Sequence, residues 1–295
     1  MRPTRRHAVA LLAAAALPLT LAACGSDDDS DTTASTSAAS GSTTAAAACD
    51  KANLKLVNDG QLTVATDRPA YPPYFEDDDP ANGRGFESAV AYAIARRLGF
   101  AQDEVKWVIE PFNSSYAPGP KRFDFDVNQI SITPQRERAV DFSSPYYTAP
   151  QAVVALKDAD AARATGLADL KEAQLGVQIG TTSLDAVTAS IAPSKQPKVF
   201  NDSNDVVRAL KQGQVDAVVV DLPTAFFLTA AQVEEAKIVG QFEAPGGDSW
   251  GALLQRGSEL TACVSRAVDE LRGDGTLKRL EQRWMGAAAG APELK

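Results

Sequence analysis

The sequence predicts an α/β protein with two lobes, and three observations support this fold class. From about residue 60 the chain alternates short strands rich in β-branched residues with helices whose apolar residues share one face. After "APQAVVAL" (149–156) the alternation starts again. The 247 residues that follow residue 48 bury their apolar surface more economically in two lobes than in one sheet.

The strands are short and β-branched, and they precede helical segments. One of them, "VDAVVVD", is apolar almost throughout, as expected of a strand buried on both faces of a parallel sheet. Strands are predicted at 62–67, 105–110, 125–132, 175–179 and 215–221.

The helices follow from apolar spacing and from start and stop residues. In "GFESAVAYAIARRLGF" (85–100), Val90, Ile94 and Leu98 share one face, and Gly99 ends the helix. Thr133 before Pro134 predicts another helix start, with Thr133 as the N-cap. Further helices are predicted in 182–187, from near 222, and in 203–213, 258–271 and 277–286.

The first 48 residues differ in composition from the rest. "MRPTRRH" followed by the mainly apolar Ala8–Leu21 predicts a signal peptide over 1–23, since 14 residues are too few to span a bilayer. The ending "LAAC" resembles a bacterial lipoprotein cleavage box, which predicts lipid attachment at Cys24. The alternative is an ordinary secreted protein with a stray cysteine. Residues 24–48, rich in Gly, Ala, Ser, Thr and Asp, predict a disordered tether.

Charge and residue usage exclude several function classes. Without Arg2, Arg5 and Arg6, 26 basic residues face 38 acidic ones, a formal charge of −12, and no basic stripe indicates a nucleic-acid partner. The single histidine, His7, lies in the predicted signal peptide. A mature chain without histidine has no Ser-His-Asp or Cys-His mechanism and no histidine to bind zinc. Binding is therefore favoured over catalysis, with no metal and no cofactor.

Two cysteines remain after the predicted cleavage and lipidation. Cys49 and Cys263 are too few for a thiolate metal cluster, and outside the cytoplasm a cysteine pair favours a disulfide. We predict a Cys49–Cys263 bond that joins the start of the folded domain to a late helix.

Three strand ends carry groups suited to a zwitterion, and ligands of open α/β sheets bind beyond such ends. Ser131 ends one strand, and Arg136 falls in the first turn of the next predicted helix, where the helix dipole disfavours a cation. "GTTS" (180–183) offers backbone N–H groups at a second strand end. Asp221 ends a third. Each signal alone has an ordinary alternative, namely a solvent-facing arginine, a routine helix start and an N-cap; together they suit a free amino acid.

Six segments resemble the solute-binding proteins that deliver polar amino acids to ABC importers. The segments occur in the family's order and cover nearly the whole predicted mature domain. They are "YPPYF" (71–75), "GFESAVAYAIARRLG" (85–99), "FDFDVNQISITPQRERAVDFSSPYY" (123–147), "LGVQIGTTS" (175–183), "GQVDAVVVD" (213–221) and "GDGTLKRLEQRW" (273–284).

This resemblance implies a fold and a motion. The fold is the two-lobed periplasmic-binding-protein type II arrangement, with lobe 1 at 49–153 plus 252–295 and lobe 2 at 154–251. Its two hinge crossings fall near Val153–Lys157 and Gly247–Leu253, and the lobes close on the ligand.

The resemblance also implies roles for individual residues. Arg136 resembles the arginine that binds the ligand's α-carboxylate, helped by the backbone N–H groups of Ser131 and Thr182, with Thr181 beside them. Asp221 resembles the carboxylate that pairs with the α-ammonium.

Further implied contacts come from Gln129, whose carbonyl accepts from the ammonium, and from Ser131 through its hydroxyl. Tyr71 and Tyr74 resemble the aromatic residues that lie against the ligand's side chain.

The segment "PFNSSYAPGPKRFD" (111–124) departs from the family pattern, because Pro118, Gly119 and Pro120 interrupt its helix. The ligand's identity therefore does not follow from analogy, although a polar or basic amino acid is favoured. Candidate pocket residues are Phe112, Asn128, Asp126 and Trp250.

The implied function is an extracytoplasmic, lipid-anchored, monomeric receptor without enzymatic activity. Its partners are an amino acid, the importer's membrane permease and the membrane itself. Two alternatives stay open. One is an amino-acid-sensing lipoprotein, and the other is a secreted dehydratase on the same fold, for which a pocket carboxylate would act as general acid.

Overall fold

The computed structural model describes residues 49–286 and 291–295. The predicted signal peptide, Cys24 and tether lie outside these residues. Within them the chain forms two five-stranded mixed sheets, with helices packed on both. None of the helices in these two ranges combines the length and the apolar composition needed to cross a bilayer.

The first sheet has the strand order β2-β1-β3-β10-β4. Strands β1, β2 and β3 run parallel, whereas β10 pairs antiparallel with both β3 and β4. The bounds are β1 Leu62–Thr66, β2 Val105–Ile109, β3 Phe125–Asp126, β4 Val140–Thr148 and β10 Ser249–Gln255.

The second sheet has the order β7-β6-β8-β5-β9. Here β6 pairs parallel with β7 and β8, and β5 pairs antiparallel with β8 and β9. The bounds are β5 Gln151–Leu156, β6 Leu175–Gln178, β7 Lys198–Phe200, β8 Ala217–Asp221 and β9 Ala236–Phe242.

The chain passes between the sheets at two places between consecutive strands. It leaves the first sheet after Thr148 and enters the second at Gln151, and it returns between Phe242 and Ser249. The predicted lobe bounds, 49–153 with 252–295 and 154–251, remain a proposal. These two passages mark where the strands change sheets.

Seven α-helices of the described residues complete the two lobes. Helix α4 is capped by Asp202, whose side chain accepts a hydrogen bond from the backbone N–H of Asp205 (2.9 Å). Helices α3 and α5 each continue into a π-helical turn. The bounds are α1 Phe86–Arg97, α2 Phe112–Ser115, α3 Thr182–Ala186, α4 Ser203–Lys211, α5 Leu222–Phe227, α6 Thr261–Gly273 and α7 Thr276–Met285.

Helices α1, α6 and α7 cover one face of the first sheet. Phe86 and Ile94 of α1 pack with Val268 and Leu271 of α6 in one buried cluster, which also includes Met285. The Cys49–Cys263 disulfide predicted from the sequence is present, with Cα atoms 5.4 Å apart, and it ties the start of the described chain to α6. The second sheet is buried on both faces, which explains why β8 is apolar almost throughout.

The segment between β3 and β4 differs from its prediction. The strand predicted over 125–132 ends at Asp126, because Gln129 adopts the left-handed conformation (φ 49°) and breaks the extended chain. Ser131 makes only an isolated bridge to Trp250. The helix predicted from Thr133 is a single 3₁₀ turn, Arg136–Arg138, although Thr133 Oγ1 does accept from the Arg136 N–H (3.2 Å).

The C-terminal residues pack on the second sheet. Leu294 is buried in its core, and backbone hydrogen bonds link Gln241 of β9 to Pro292 (2.7 Å) and Leu294 (2.8 Å). Gly240 makes this approach possible, since a Cβ there would lie 2.6 Å from the Leu294 side chain. Met285, nine residues earlier, belongs to the core of the first lobe.

Candidate ligand-binding cleft

A cavity of about 190 Å³ lies between the two lobes. It is bordered by the carboxyl ends of the parallel strands, as expected for open α/β sheets. Nine of the ten residues predicted to bind ligand line it: Arg136, Asp221, Ser131, Thr182, Thr181, Gln129, Tyr71, Phe112 and Asn128.

Arg136 lines the cavity and is only 7% exposed. Its Nη1 donates to the Ser131 carbonyl (2.7 Å), and its Nη2 reaches across the cleft to the Gly180 carbonyl (2.9 Å). The rings of Phe112 and Tyr116 lie 5.5 and 4.6 Å from its Cζ. The guanidinium is thus held in place by both lobes.

No Asp or Glu of the described residues forms an ion pair with the guanidinium of Arg136. Burial lowers its pKa, while Tyr116, Asp248 and Asp221 act in the opposite direction. A buried cation is costly unless it is paired, so this end of the cavity favours an anion, and an arginine favours a carboxylate.

The anion end also contains the start of α3. Thr181 occupies the N-cap position without a side-chain capping bond, and its hydroxyl instead donates to the Gln178 carbonyl (2.8 Å). The hydroxyl of Thr182 lies 3.2 Å from that of Ser131, which joins the two lobes beside Arg136. The contribution of backbone N–H groups of Ser131 and Thr182 to anion binding stays a prediction.

Asp221, the last residue of β8, also lines the cavity. It precedes α5 in the N-cap position but makes no side-chain capping bond, so the capping alternative does not describe its side chain. Its Oδ1 accepts from Gln151 Nε2 (2.6 Å). Burial and the neighbouring Asp248 carboxylate raise its pKa well above the ordinary range.

Asp248 was not identified as a site residue from the sequence. It is 1% exposed, and its Oδ2 accepts from Gln151 Nε2 (2.7 Å) and from Thr182 Oγ1 (2.7 Å). Burial raises its pKa too. Asp248 follows two glycines in a connecting segment, which is the pattern of a solvated loop. No local sequence signal therefore marks it as a residue of the binding site. The return of the chain to β10 places it beside Asp221.

Gln129 is shaped by a buried carboxylate, Glu87 of α1. The Gln129 backbone N–H donates to Glu87 Oε1 (2.7 Å), the Gln129 side chain donates to Oε2, and the Tyr146 hydroxyl donates to Oε1. Burial raises the pKa of Glu87 to about 7. These bonds hold Gln129 in its left-handed conformation, and Gln129 lines the cavity.

The rest of the cavity is lined by aromatic and polar side chains. Tyr71 lies here and stacks with Phe227 of the other lobe, with ring centroids 6.2 Å apart. Asn128 also lines it, and its buried Nδ2 has no hydrogen-bond partner among the residues that the structure describes, so it is a donor available to a ligand. Polar lining residues not predicted to bind ligand are Thr66, Asp67, Arg68, Gln178, Ser183, Asp202, Ser203, Asn204 and Thr224. Asp67 directly follows β1, so the strand-end rule could have found it.

Three candidates lie behind the cavity wall rather than on it. Tyr74 is buried, and its hydroxyl bonds Thr224 Oγ1 of the other lobe (2.8 Å). Trp250 is buried against Tyr74 and Tyr147. Asp126 is buried and bonded to Ser115, and burial raises its pKa to about 8. Asp126 does not line the cavity although Asn128, two residues later, does, because β3 ends at Asp126 and the alternation of side chains along a strand does not extend to Asn128.

No group of three His, Cys, Asp or Glu side chains in the described ranges is arranged to hold a metal ion. The cleft is instead lined by the guanidinium of Arg136, by carboxyl groups such as that of Asp221, and by further polar and aromatic side chains. Such a cleft can hold the carboxylate and the ammonium of one small molecule.

Comparison with known proteins gives relatives of one kind. The chain is 29% identical over 245 residues to the L-cystine-binding protein TcyJ of Escherichia coli K12, covering 79% of this chain and 85% of TcyJ. An ancestral arginine-binding protein bound to glutamine superposes with a TM-score of 0.63 at 32% identity, covering 77% of this chain and 98% of that one. The substrate-binding protein of an amino-acid ABC transporter superposes with a TM-score of 0.61 at 27% identity, covering 77% and 100%.

The family model for bacterial extracellular solute-binding proteins, family 3, matches residues 62–287. These residues include both sheets and every residue that lines the cleft. The chain therefore belongs to the bacterial extracellular solute-binding proteins of family 3.

Proposed function

We propose that this protein is the extracytoplasmic receptor of an ABC importer and captures a free amino acid between its lobes. The observation that carries the proposal is that a guanidinium and a carboxyl group line one cleft. Arg136 is a buried cation without an ionic partner among the described residues, and the carboxyl group of Asp221 lines the same cavity. Relatives named for binding cystine, arginine or glutamine support the same ligand class.

The energetics fit this ligand class. A hydrogen bond to a charged group contributes about 1.5–3 kcal/mol net, and micromolar affinity requires about 8 kcal/mol. An amino acid of about ten heavy atoms reaches that value when both of its charges are paired in an enclosed site. Enclosure comes from the lobes, which already touch through Arg136 and the Gly180 carbonyl.

The side-chain region favours a polar or basic ligand. Asp67 and Asp202 supply carboxylates to it, and Gln178 and Asn204 supply amides. The ring of Tyr71 offers a flat apolar surface for the ligand's methylene groups. Arg68 also lines the cavity, but its Nε forms an ion pair with Asp78 Oδ2 (3.5 Å), so its charge already has a partner.

We further propose that the mature chain is a monomer attached to the outer face of the membrane through lipid on Cys24. The family is extracellular by its description, and the support for the anchor itself is the sequence "LAAC" after an apolar segment. The proposal includes no enzymatic activity, and the binding roles of the relatives support that. A sensing role and a dehydratase activity remain the competing functions.

The test is binding by the purified mature protein. A thermal-shift panel of the standard amino acids, followed by calorimetry, should identify at least one ligand with a Kd in the micromolar range or tighter. Arg136→Ala and Asp221→Ala should each weaken binding at least about 100-fold, as expected from the loss of a buried charged contact.

The matched control is Arg138→Ala, because Arg138 is exposed on the same 3₁₀ turn and bonds only the Pro134 carbonyl (3.3 Å). Its Kd should equal that of the wild type. Wild-type affinity in the Arg136 or Asp221 variant would remove that residue from the site. Turnover of a prephenate-like acid would favour the dehydratase alternative.

A further inference from the structure

Asp221 and Asp248 are joined through one amide group. Gln151, the first residue of β5, donates from the same Nε2 to Asp221 Oδ1 (2.6 Å) and to Asp248 Oδ2 (2.7 Å). The Gln151 Oε1 is engaged as well, because it accepts from Ser183 Oγ (2.6 Å). The amide is therefore fixed in orientation, and it fixes both carboxylates.

Asp248 also contacts the anion end of the site. It accepts from Thr182 Oγ1 (2.7 Å), and that hydroxyl lies 3.2 Å from Ser131 Oγ of the other lobe. The other oxygen, Oδ1, is buried without a partner among the described residues. Asp248 thus connects both ends of the cleft from the segment where the chain returns to the first sheet.

Two carboxylates that share one amide give this end of the site an excess of negative charge. The charged and titratable groups that face the pair are Arg136, Glu87, Tyr74 and Tyr147. Only Arg136 among them is a cation, and it forms no ion pair with either carboxyl group. A single cation close to the pair would relieve the repulsion.

We propose that Asp248 is a positioning residue of the ammonium site, and that Asp221 and Asp248 together hold one exchangeable cation: a proton in the empty cleft and the ligand's ammonium in the filled one. This inference rests on the proposed function. When the ammonium enters, one proton passes from the carboxyl pair to the solvent, and the ammonium keeps its own three. The raised pKa values of both groups agree with this exchange.

The proposal fixes the direction of the pH effect. Below the raised pKa of the pair, the bound proton competes with the ammonium, so affinity weakens as the pH falls, by at most tenfold per pH unit for one proton. As the pH rises through that pKa, competition ends and affinity reaches a plateau. Replacing Asp248 by Asn removes the repulsion that holds the proton and should flatten this profile.

The experiment is calorimetry with the tightest-binding amino acid from the panel, between pH 5.5 and 8, in two buffers of different ionisation enthalpy. The wild type should release up to one proton per ligand bound. Asp248→Asn should release fewer protons per ligand bound. At pH 8 it should bind the amino acid about tenfold more weakly than the wild type, and this difference in Kd should narrow toward pH 5.5. Loss of mere packing would instead weaken binding equally at every pH.

Two controls separate other sources of protons. Asp185→Asn removes an exposed carboxylate on α3 that also lies near Arg136, and it should keep the wild-type proton count. Glu87→Gln removes the neighbour whose pKa is about 7, and proton release should persist in it. This second variant tests the proposal even if Asp248→Asn fails to fold.

The outcomes are distinguishable from failure of the proposed function. Absence of amino-acid binding by the wild type at every pH would contradict both ideas. Binding without proton release in the wild type, or an Asp248→Asn variant with the wild-type Kd and proton count, would overturn only this inference.

Discussion

Arg136 and Asp126 show how two buried charged residues of one lobe have opposite fates. Two carbonyls and two aromatic rings surround Arg136 and stabilise its positive charge, although burial lowers its pKa. Asp126 has a single hydroxyl donor, Ser115, and one oxygen without a partner in the described residues. Burial therefore favours its neutral form, with a pKa of about 8.

The raised pKa of Asp126 predicts how the free energy of unfolding of Asp126→Asn differs from that of the wild type as the pH changes. A carboxyl whose folded pKa is raised contributes stability below its unfolded pKa and loses it as the pH rises through the folded pKa. Wild-type stability should therefore fall relative to that of the variant between about pH 4 and pH 8, by at most about 1.4 kcal/mol per pH unit. Urea unfolding at pH 5, 7 and 8.5 measures the difference.

The control is Asp103→Asn, because Asp103 is exposed in the turn before β2. Its effect should not vary over this pH range. Parallel pH profiles for the wild type and Asp126→Asn would show that Asp126 is ionised in the folded protein at pH 7.

At the scale of elements, the loop 111–124 and the turn before α3 meet across the cleft. The Tyr116 hydroxyl bonds Asn113 Oδ1 (2.5 Å) and lies 3.4 Å from the Gly180 carbonyl, which also accepts from Arg136. A Cβ on Gly180 would lie 2.3 Å from that hydroxyl. The loop that departs from the family pattern thus closes on a glycine of the other lobe.

We predict that Gly180→Ala weakens amino-acid binding at least about tenfold, because the methyl group would push Tyr116 away and separate the lobes at Arg136. The control is Gly213→Ala. Gly213 has a similar φ (65° against 74°), but a Cβ there meets no atom within 4 Å. Both variants should lose about 1 kcal/mol of stability from the positive φ, and calorimetry should show that only Gly180→Ala changes the Kd.

The double variant Gly180→Ala with Tyr116→Phe provides a second check. Removing the hydroxyl makes room for the methyl group, so part of the lost affinity should return. An equal loss of affinity in Gly180→Ala and Gly213→Ala would show that backbone strain, and not the contact with Tyr116, accounts for the effect.

At the scale of the whole molecule, the chain joins the two lobes three times. Two connections lie between β4 and β5 and between β9 and β10. The third follows from the positions of Met285 and Leu294, which belong to the cores of different lobes. The C-terminal residues also pair with β9 through Gln241, so they cover an edge of the second sheet.

We predict that Leu294→Ala destabilises the protein by about 2–4 kcal/mol, the range for removing a buried leucine side chain. Glu293→Ala is the matched control. Glu293 precedes Leu294, its side chain is exposed, and the substitution leaves its backbone pairing with Gln241 unchanged. Thermal unfolding of both variants without ligand measures the effect. A Tm equal to that of the wild type in Leu294→Ala would show that the C-terminal segment does not stabilise the second lobe.

Much of this architecture was predictable from the sequence, because its signals are local. The helical spacing of Val90, Ile94 and Leu98 and the apolar run that forms β8 place those elements correctly, since burial of one face requires such periodicity. Thr182 and Asp221 come to the cleft at the ends of β6 and β8, because parallel strands end at the same edge of a sheet, whereas Ser131 reaches the cleft from an irregular segment of the first lobe.

Tertiary structure decided what local patterns do not encode. Asp248 joins the site only because the chain returns between the sheets beside Gln151, and Tyr116 covers Arg136 only because an irregular loop folds over it. Gln129 leaves the strand because Glu87, 42 residues earlier, accepts its N–H. The sequence by itself determined the α/β lobes and the two ends of the cleft, whereas contacts between residues distant in sequence decided which charges are paired there, because pairing depends on spatial proximity.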